Sequence, residues 1–210
     1  MALPPNILSA FVTLFVTIGP IETAVVFASL TAGVHRQDSR SLATKAILIA
    51  GAMLTLFALS GTTALSLLHV SLPVFRVAGG VLLFLQALTL TFASPGLSSI
   101  SEGERRDAER PGDIAVFPLA FPVIAGPGSL SAIVLLAARA RSGIDATWML
   151  LMLLVCLTLT YGAMFIAESL VHRLGQTGAD VVGRVSGVLL AGLAVQFVFD
   201  GLHQVFVANP

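Results

Sequence analysis

The sequence predicts an all-α polytopic membrane protein: six transmembrane helices in 3+3 inverted repeats, with the first and fourth helices broken. Three observations carry this expectation. The chain has too few charges to cover a water-facing surface, it contains uncharged runs of membrane-crossing length, and a Gly-Pro break recurs in register in each half.

The 210 residues are 56% hydrophobic and 10% charged, whereas a soluble domain carries about 25% charged residues. Mean hydropathy is +0.96. Twenty-two charges cannot solvate a soluble chain of this length, so a water-soluble globular enzyme and a disordered chain are both excluded. Eleven basic and eleven acidic residues cancel, leaving no electrostatic footprint for nucleic acid. The lone Cys156 sits in an apolar run, so no disulfide framework, cysteine-rich metal site or other cofactor is expected. The first basic residue is Arg36. A signal peptide carries basic residues ahead of its apolar core, so the first apolar segment is expected to stay as a span.

A crossing helix needs about 20 mainly apolar residues. Uncharged runs occupy 1–21, 46–75, 77–101, 114–138 and 146–167, and 185–210 holds only Asp200. Spans are therefore predicted at 6–33, 44–68, 73–93, 116–138, 146–168 and 183–205. The first contains Gly19-Pro20 near its middle. The second follows the basic stretch Arg36 to Lys45, and the third opens on Arg76-Val-Ala-Gly-Gly-Val-Leu-Leu. A linker at 94–115 then divides the chain into repeats at 1–93 and 116–210; Glu102 to Asp113 alone holds eight of the 22 charges. The fourth span contains Gly126-Pro127 and ends before Arg139. The fifth follows Asp145, and the sixth opens on Arg184-Val-Ser-Gly-Val-Leu-Leu. Leu, Ala, Val and Gly dominate throughout, with none of the ten-residue alternation of a membrane barrel.

Arg76 follows Gly19 by 57 residues and Arg184 follows Gly126 by 58, so two matched motifs keep one spacing. Three spans per half is an odd number, which turns the second half upside down, the arrangement associated with alternating access. Lys and Arg are distributed unevenly between the two sides. Eight lie in the first, third and fifth connections and three, Arg76, Arg139 and Arg141, on the other side. This predicts a linker in the cytoplasm and both termini in the periplasm.

Proline inside a helix removes a hydrogen bond and clashes with the preceding turn, but suits the first position of a new helix. Pro20 and Pro127 are therefore expected to start half-helices whose positive N-terminal ends converge near the midplane, a seat for a small anion or an amino-acid carboxylate. Ordinary proline kinks are the plainer reading of either break taken alone. Glu22 is the only ionisable residue deep in the first span. It is a candidate for an ammonium contact or a coupling proton, or else a cap on the half-helix begun by Pro20. Ser129 is a candidate substrate ligand or a cap. Arg76 and Arg184 read best as snorkelling residues, while Gln196 and Asp200, one helical turn apart near the outer end of the last span, are candidates for bonding neighbouring helices or for lining an exit path. His35, His69, His172 and His203 fall near span ends without metal-ligand spacing, and Gly51, Gly61, Gly79, Gly80, Gly187 and Gly192 read as close-packing positions.

Several blocks resemble the MarC family of inner-membrane proteins. They are Thr13-Leu-Phe-Val-Thr-Ile-Gly-Pro-Ile-Glu-Thr23, Phe27-Ala-Ser-Leu-Thr31, Val77-Ala-Gly-Gly-Val-Leu-Leu-Phe84, Val116-Phe-Pro-Leu-Ala-Phe-Pro-Val-Ile-Ala-Gly-Pro-Gly128 and Gln196-Phe-Val-Phe-Asp-Gly201. The chain departs from that family's usual Asn-Pro-Ile/Val-Gly by having Gly19-Pro20-Ile21-Glu22, with Val25 in place of a second proline. The resemblance implies a bacterial inner-membrane secondary transporter of small neutral amino acids such as glycine and alanine, with a proton or other cation as candidate coupling ion. The expected substrate contacts are Gly19, Pro20, Glu22, Thr23, Gly126, Pro127, Gly128 and Ser129, and a homo-oligomer is a candidate assembly. The alternatives are export of another small metabolite and a membrane stress-response or scaffold protein that transports nothing. An intramembrane protease is disfavoured, because Ser129 has no histidine at depth and Asp200 no second aspartate.

Overall fold

The computed structural model describes residues 7–31, 36–92, 114–140 and 142–206. Its elements are α1 (Ile7–Ile18), α2 (Pro20–Leu30), α3 (Arg36–Leu67), α4 (Leu72–Phe92), α5 (Ala115–Ile124), α6 (Pro127–Arg139), α7 (Gly143–Phe165) and α8 (Ala167–Phe206). No strand occurs among the described residues. Among the described residues five spans are long and apolar enough to cross a bilayer, and the bent pair α5–α6 makes a sixth if counted as one. The predicted linker lies outside the described residues apart from its last two positions.

The lipid-facing character shows in what remains exposed. Leu8, Leu48, Leu59, Leu85, Leu154, Val188, Leu189 and Phe199 all point outward, an arrangement that water would penalise and hydrocarbon does not. Inside, one core gathers Leu14, Ile18, Leu54, Leu119, Ile124, Ile133 and Met164 from α1, α3, α5, α6 and α7. A second joins Leu83 and Ala87 of α4 to Leu190, Ala194 and Phe197 of α8 through Leu135. The α1–α2 span is the central one: 56% of its apolar window is buried, against 22–33% for the four other spans.

Helix approach is set by small residues, as expected where packing rather than water exclusion holds helices together. A Cβ on Gly80 would lie 2.8 Å from the Ala194 carbonyl oxygen, and one on Gly201 2.8 Å from that of Pro73. Rising numbers on α4 meet falling numbers on α8, so the third and sixth spans run antiparallel. Gly61 faces Val134, and a Cβ on Gly79 would lie 2.7 Å from Ser131 Cβ and one on Gly51 3.2 Å from Leu157 Cδ1. Gly192 departs from the expectation: a Cβ there would meet nothing within 4 Å. Gly201, which the sequence reading passed over, takes the packing role instead.

Three further differences have physical causes. The chain from Ala167 to Phe206 is one helix of 40 residues, where a connection was expected before a span at 183–205. Charges end its apolar stretch, which begins at Gly187, but no proline occurs between Pro127 and Pro210 to end the helix itself. The first half of the fourth span is not a regular α-helix. It winds in a π-like manner with extended backbone at Phe117 (φ −131°, ψ 124°) and Phe121 (φ −134°, ψ 131°). Each of these residues precedes a proline, whose ring disfavours helical backbone in its neighbour; the Phe121–Pro122 peptide is cis. Arg76, expected to snorkel, is 5% exposed, whereas Arg184 is exposed as predicted.

Candidate functional site

Both predicted breaks form, each in its own way. At Gly19 the chain takes a left-handed conformation (φ 59°, ψ 66°) and Pro20 starts α2, a backbone that suits glycine and strains residues with a Cβ. The Gly19 N–H still donates to Phe15 O at 3.0 Å and Gly19 O accepts from Thr23 N–H at 2.8 Å, so the break is short and Ile7–Ala28 continues as one span. At the second break Gly126 is extended (φ −71°, ψ 169°) ahead of Pro127. The Pro122 carbonyl oxygen occupies the place of a Cβ on Gly126. Here the axis bends by 56°. The 12 residues of α1 and the 13 of α6 put the breaks about 18 Å and 20 Å from the same end of the bundle, at one depth.

Buried hydroxyls stitch the breaks. Thr23 Oγ1 donates to Ile18 O at 3.2 Å and Ser129 Oγ donates to Ile124 O at 2.8 Å. Each reaches back five residues, across the Gly-Pro step, to a carbonyl on its far side. Ser129 is therefore matched in role by Thr23, although by spacing from the glycine its counterpart is Glu22, each lying three residues on. Ser129 Oγ also approaches Thr17 O at 3.2 Å, which brings the first turn of α6 against the last turn of α1. Thr17 in turn donates to Thr13 O at 2.8 Å. Thr17, Thr23 and Ser129 are all at most 1% exposed, so their bonds offset what would otherwise be a large desolvation penalty.

Glu22 sits in the third position of α2 and its carboxylate folds back over the helix start. Its Oε2 lies 2.7 Å from where a Cβ on Gly19 would be. A carboxylate there complements the positive helix end. The start of α6 is built differently. Gly128 is buried, and a Cβ on it would lie 2.8 Å from Gln86 Oε1 and 2.5 Å from Leu83 Cδ2, both on α4. The N-cap residues themselves, Gly19 and Gly126, have no side chain with which to cap. The structure thus joins Gly19 with Glu22, Gly126 and Gly128 with Gln86, and Ser129 with Thr17. Gln86 and Thr17 were missed by sequence reasoning. Gln86 had a signal, being an amide inside the uncharged run 77–101, and Thr17 had only its place beside the break.

A cavity of about 110 Å³ lies elsewhere, at the end of the bundle where α1 starts, α6 ends and α7 starts, lined by Ser9, Arg139, Asp145 and Trp148 among others. Asp200 accepts from Gln196 Nε2 at 2.6 Å and lies 3.8 Å from Arg139 Nη2. His69 and His203 are exposed; His35 and His172 lie outside the described side chains. Among the described residues no group of His, Cys, Asp and Glu has the arrangement to hold a metal ion.

The profile of the MarC family integral membrane proteins matches residues 5–206. A UPF0056 membrane protein of Methanocaldococcus jannaschii is 33% identical over 194 residues, covering 92% of this chain and 94% of its own. The UPF0056 membrane protein YvbG of Bacillus subtilis is 29% identical with 95% of both chains covered. YhcE of Escherichia coli is 28% identical with 93% and 91% covered. No solved structure matches the chain.

Proposed function

Because the chain belongs to the MarC family of integral membrane proteins, we propose that it is a secondary transporter of small neutral amino acids such as glycine and alanine, working by alternating access. The observation that carries this reading is the Ser129–Thr17 contact, which brings two interrupted spans together at one depth. Backbone left out of a helical ladder at membrane depth is tolerated where protein or a wet cavity satisfies it, and it supplies the polar groups a zwitterion needs.

The two half-helix starts differ in a way that suits a zwitterion. Glu22 already complements the positive end of α2, so a substrate carboxylate goes to the N-terminus of α6, where Gly128 lies against Gln86 and Leu83 and next to Ser129. The substrate ammonium then faces Glu22, with Gly19, Pro20, Thr23, Gly126 and Pro127 shaping the floor. Glu22 also serves as the carrier of a coupling proton. One repeat rocks against the other about this point, in the inner membrane, with both termini periplasmic.

The test is flux of labelled glycine, alanine and larger amino acids into liposomes holding the purified protein. Uptake of the small ones, stimulated by a pH gradient, is expected. Glu22→Gln should abolish the pH-driven component while the protein stays folded. Uptake that is indifferent to pH sinks the proton role, and an absence of flux for every small metabolite tried favours a scaffold.

A further inference from the structure

Arg76 stands outside the helix breaks and is used by nothing described so far. It is the fifth residue of α4, about 6 Å along that helix. It is 5% exposed, and its Nε is buried without a hydrogen-bond partner. A guanidinium does not shed its proton, so a buried arginine finds an anion or remains uncompensated. The charges acting on Arg76 are Arg139 and Asp200. Asp200 is already engaged at both oxygens, Oδ1 with Gln196 at 2.6 Å and Oδ2 with Arg139 at 3.8 Å. The cluster therefore holds two guanidiniums and one carboxylate, a net charge of +1.

We propose that Arg76, with Arg139 and Asp200, forms an oxyanion-binding site where α4 begins, α6 ends and the C-terminal part of α8 passes. Its ligand is a carboxylate or phosphate monoanion. The Nε edge of a guanidinium is one half of the fork that binds a planar oxyanion through two parallel hydrogen bonds, and in Arg76 that edge is unused. Approach is provided past Arg139 and Asp200, whose side chains are 50% and 33% exposed. The anion comes either from the aqueous phase or from a lipid headgroup. The site is independent of the transport reading, since a protein that moves no amino acid would still carry it.

The experiment uses the full chain in nanodiscs of phosphatidylcholine, titrated with acetate and with inorganic phosphate against chloride at matched ionic strength. Thermal unfolding is followed throughout. A parallel sample contains phosphatidylglycerol, and lipid retained on the protein is measured by native mass spectrometry. A saturable rise in Tm with the free anions is expected, and it marks an aqueous ligand. Retained phosphatidylglycerol with no response to free anions marks a headgroup. Either signal is lost in Arg76→Gln. In Asp200→Asn, which removes the competing carboxylate, the half-saturating concentration or the retained lipid shifts by roughly tenfold toward tighter binding. The proposal is overturned if wild-type protein shows neither signal, if folded Arg76→Gln behaves as wild type, or if Asp200→Asn binds more weakly. Should Arg76→Gln fail to fold, the direction of the Asp200→Asn effect decides.

Discussion

Single atoms at the two breaks carry measurable weight. The Ser129 hydroxyl serves carbonyls on two helices, Ile124 O at 2.8 Å and Thr17 O at 3.2 Å, at full burial. Ser129→Ala leaves both without that donor, and we expect a loss of about 1–2 kcal/mol, read as a lower Tm in detergent micelles. Thr158→Ala is the control. Its hydroxyl also bonds a carbonyl, Leu154 O at 2.8 Å, but on an exposed helix face, and its Tm should barely move. Gly19→Ala combines two penalties: a left-handed backbone with a Cβ, about 1–2 kcal/mol, and contact between that Cβ and Glu22 Oε2 at 2.7 Å. The second disappears when Glu22 is shortened. Gly19→Ala should therefore lower Tm less in a Glu22→Ala background than in the wild type, and equal losses would show that the carboxylate does not press on that position.

Elements were legible in the sequence to the degree that local chemistry fixes them. Gly19-Pro20 and Gly126-Pro127 announce their breaks because proline's missing N–H acts wherever it is placed. Phe117 and Phe121 were within reach of the same rule, each standing before a proline, yet the fourth span read as a plain broken helix. The length of α8 was hidden because charge pattern marks where apolar surface ends, and helices end at breakers. The burial of Arg76 was out of reach altogether, being set by the close passage of α8 at Gly201 against Pro73 and Val77. The same tertiary logic separates the glycines that sequence grouped together. Gly80→Ala drives a Cβ to 2.8 Å from the Ala194 carbonyl, backbone that cannot rotate away. We expect it to destabilise by about 1–3 kcal/mol. Gly192→Ala meets open space and gains helix propensity, so it should be neutral or stabilising by up to about 1 kcal/mol. Thermal unfolding of the two variants side by side checks the pair.

At the scale of the whole molecule, the structure groups the ends whose charges set orientation. The starts of α1 and α7 and the end of α6 line one cavity. Arg139 reaches Asp200 of α8, and Gly201 of α8 touches the start of α4. Arg76 and Arg139 therefore share one face with the beginning and the end of the chain's helical bundle, while Arg40 and Lys45 of α3 lie toward the other. Burial sharpens the argument from charge. Arg76 is enclosed by protein and does not report on a membrane surface, so the three basic residues counted on its side fall to two, Arg139 and Arg141, against eight. Positive charge resists translocation, and on that count we propose that the face bearing Arg139 is periplasmic. The chain lends itself to a direct test, because Cys156 is its single cysteine and is fully buried. In a Cys156→Ala background, Ser142→Cys places a thiol at an exposed position between α6 and α7, and Arg105→Cys places one in the charged linker. A membrane-impermeant maleimide added to intact cells should label Ser142→Cys and leave Arg105→Cys untouched until the cells are lysed. The reverse pattern would invert the molecule, and with it the side from which Arg139 and its cavity are reached.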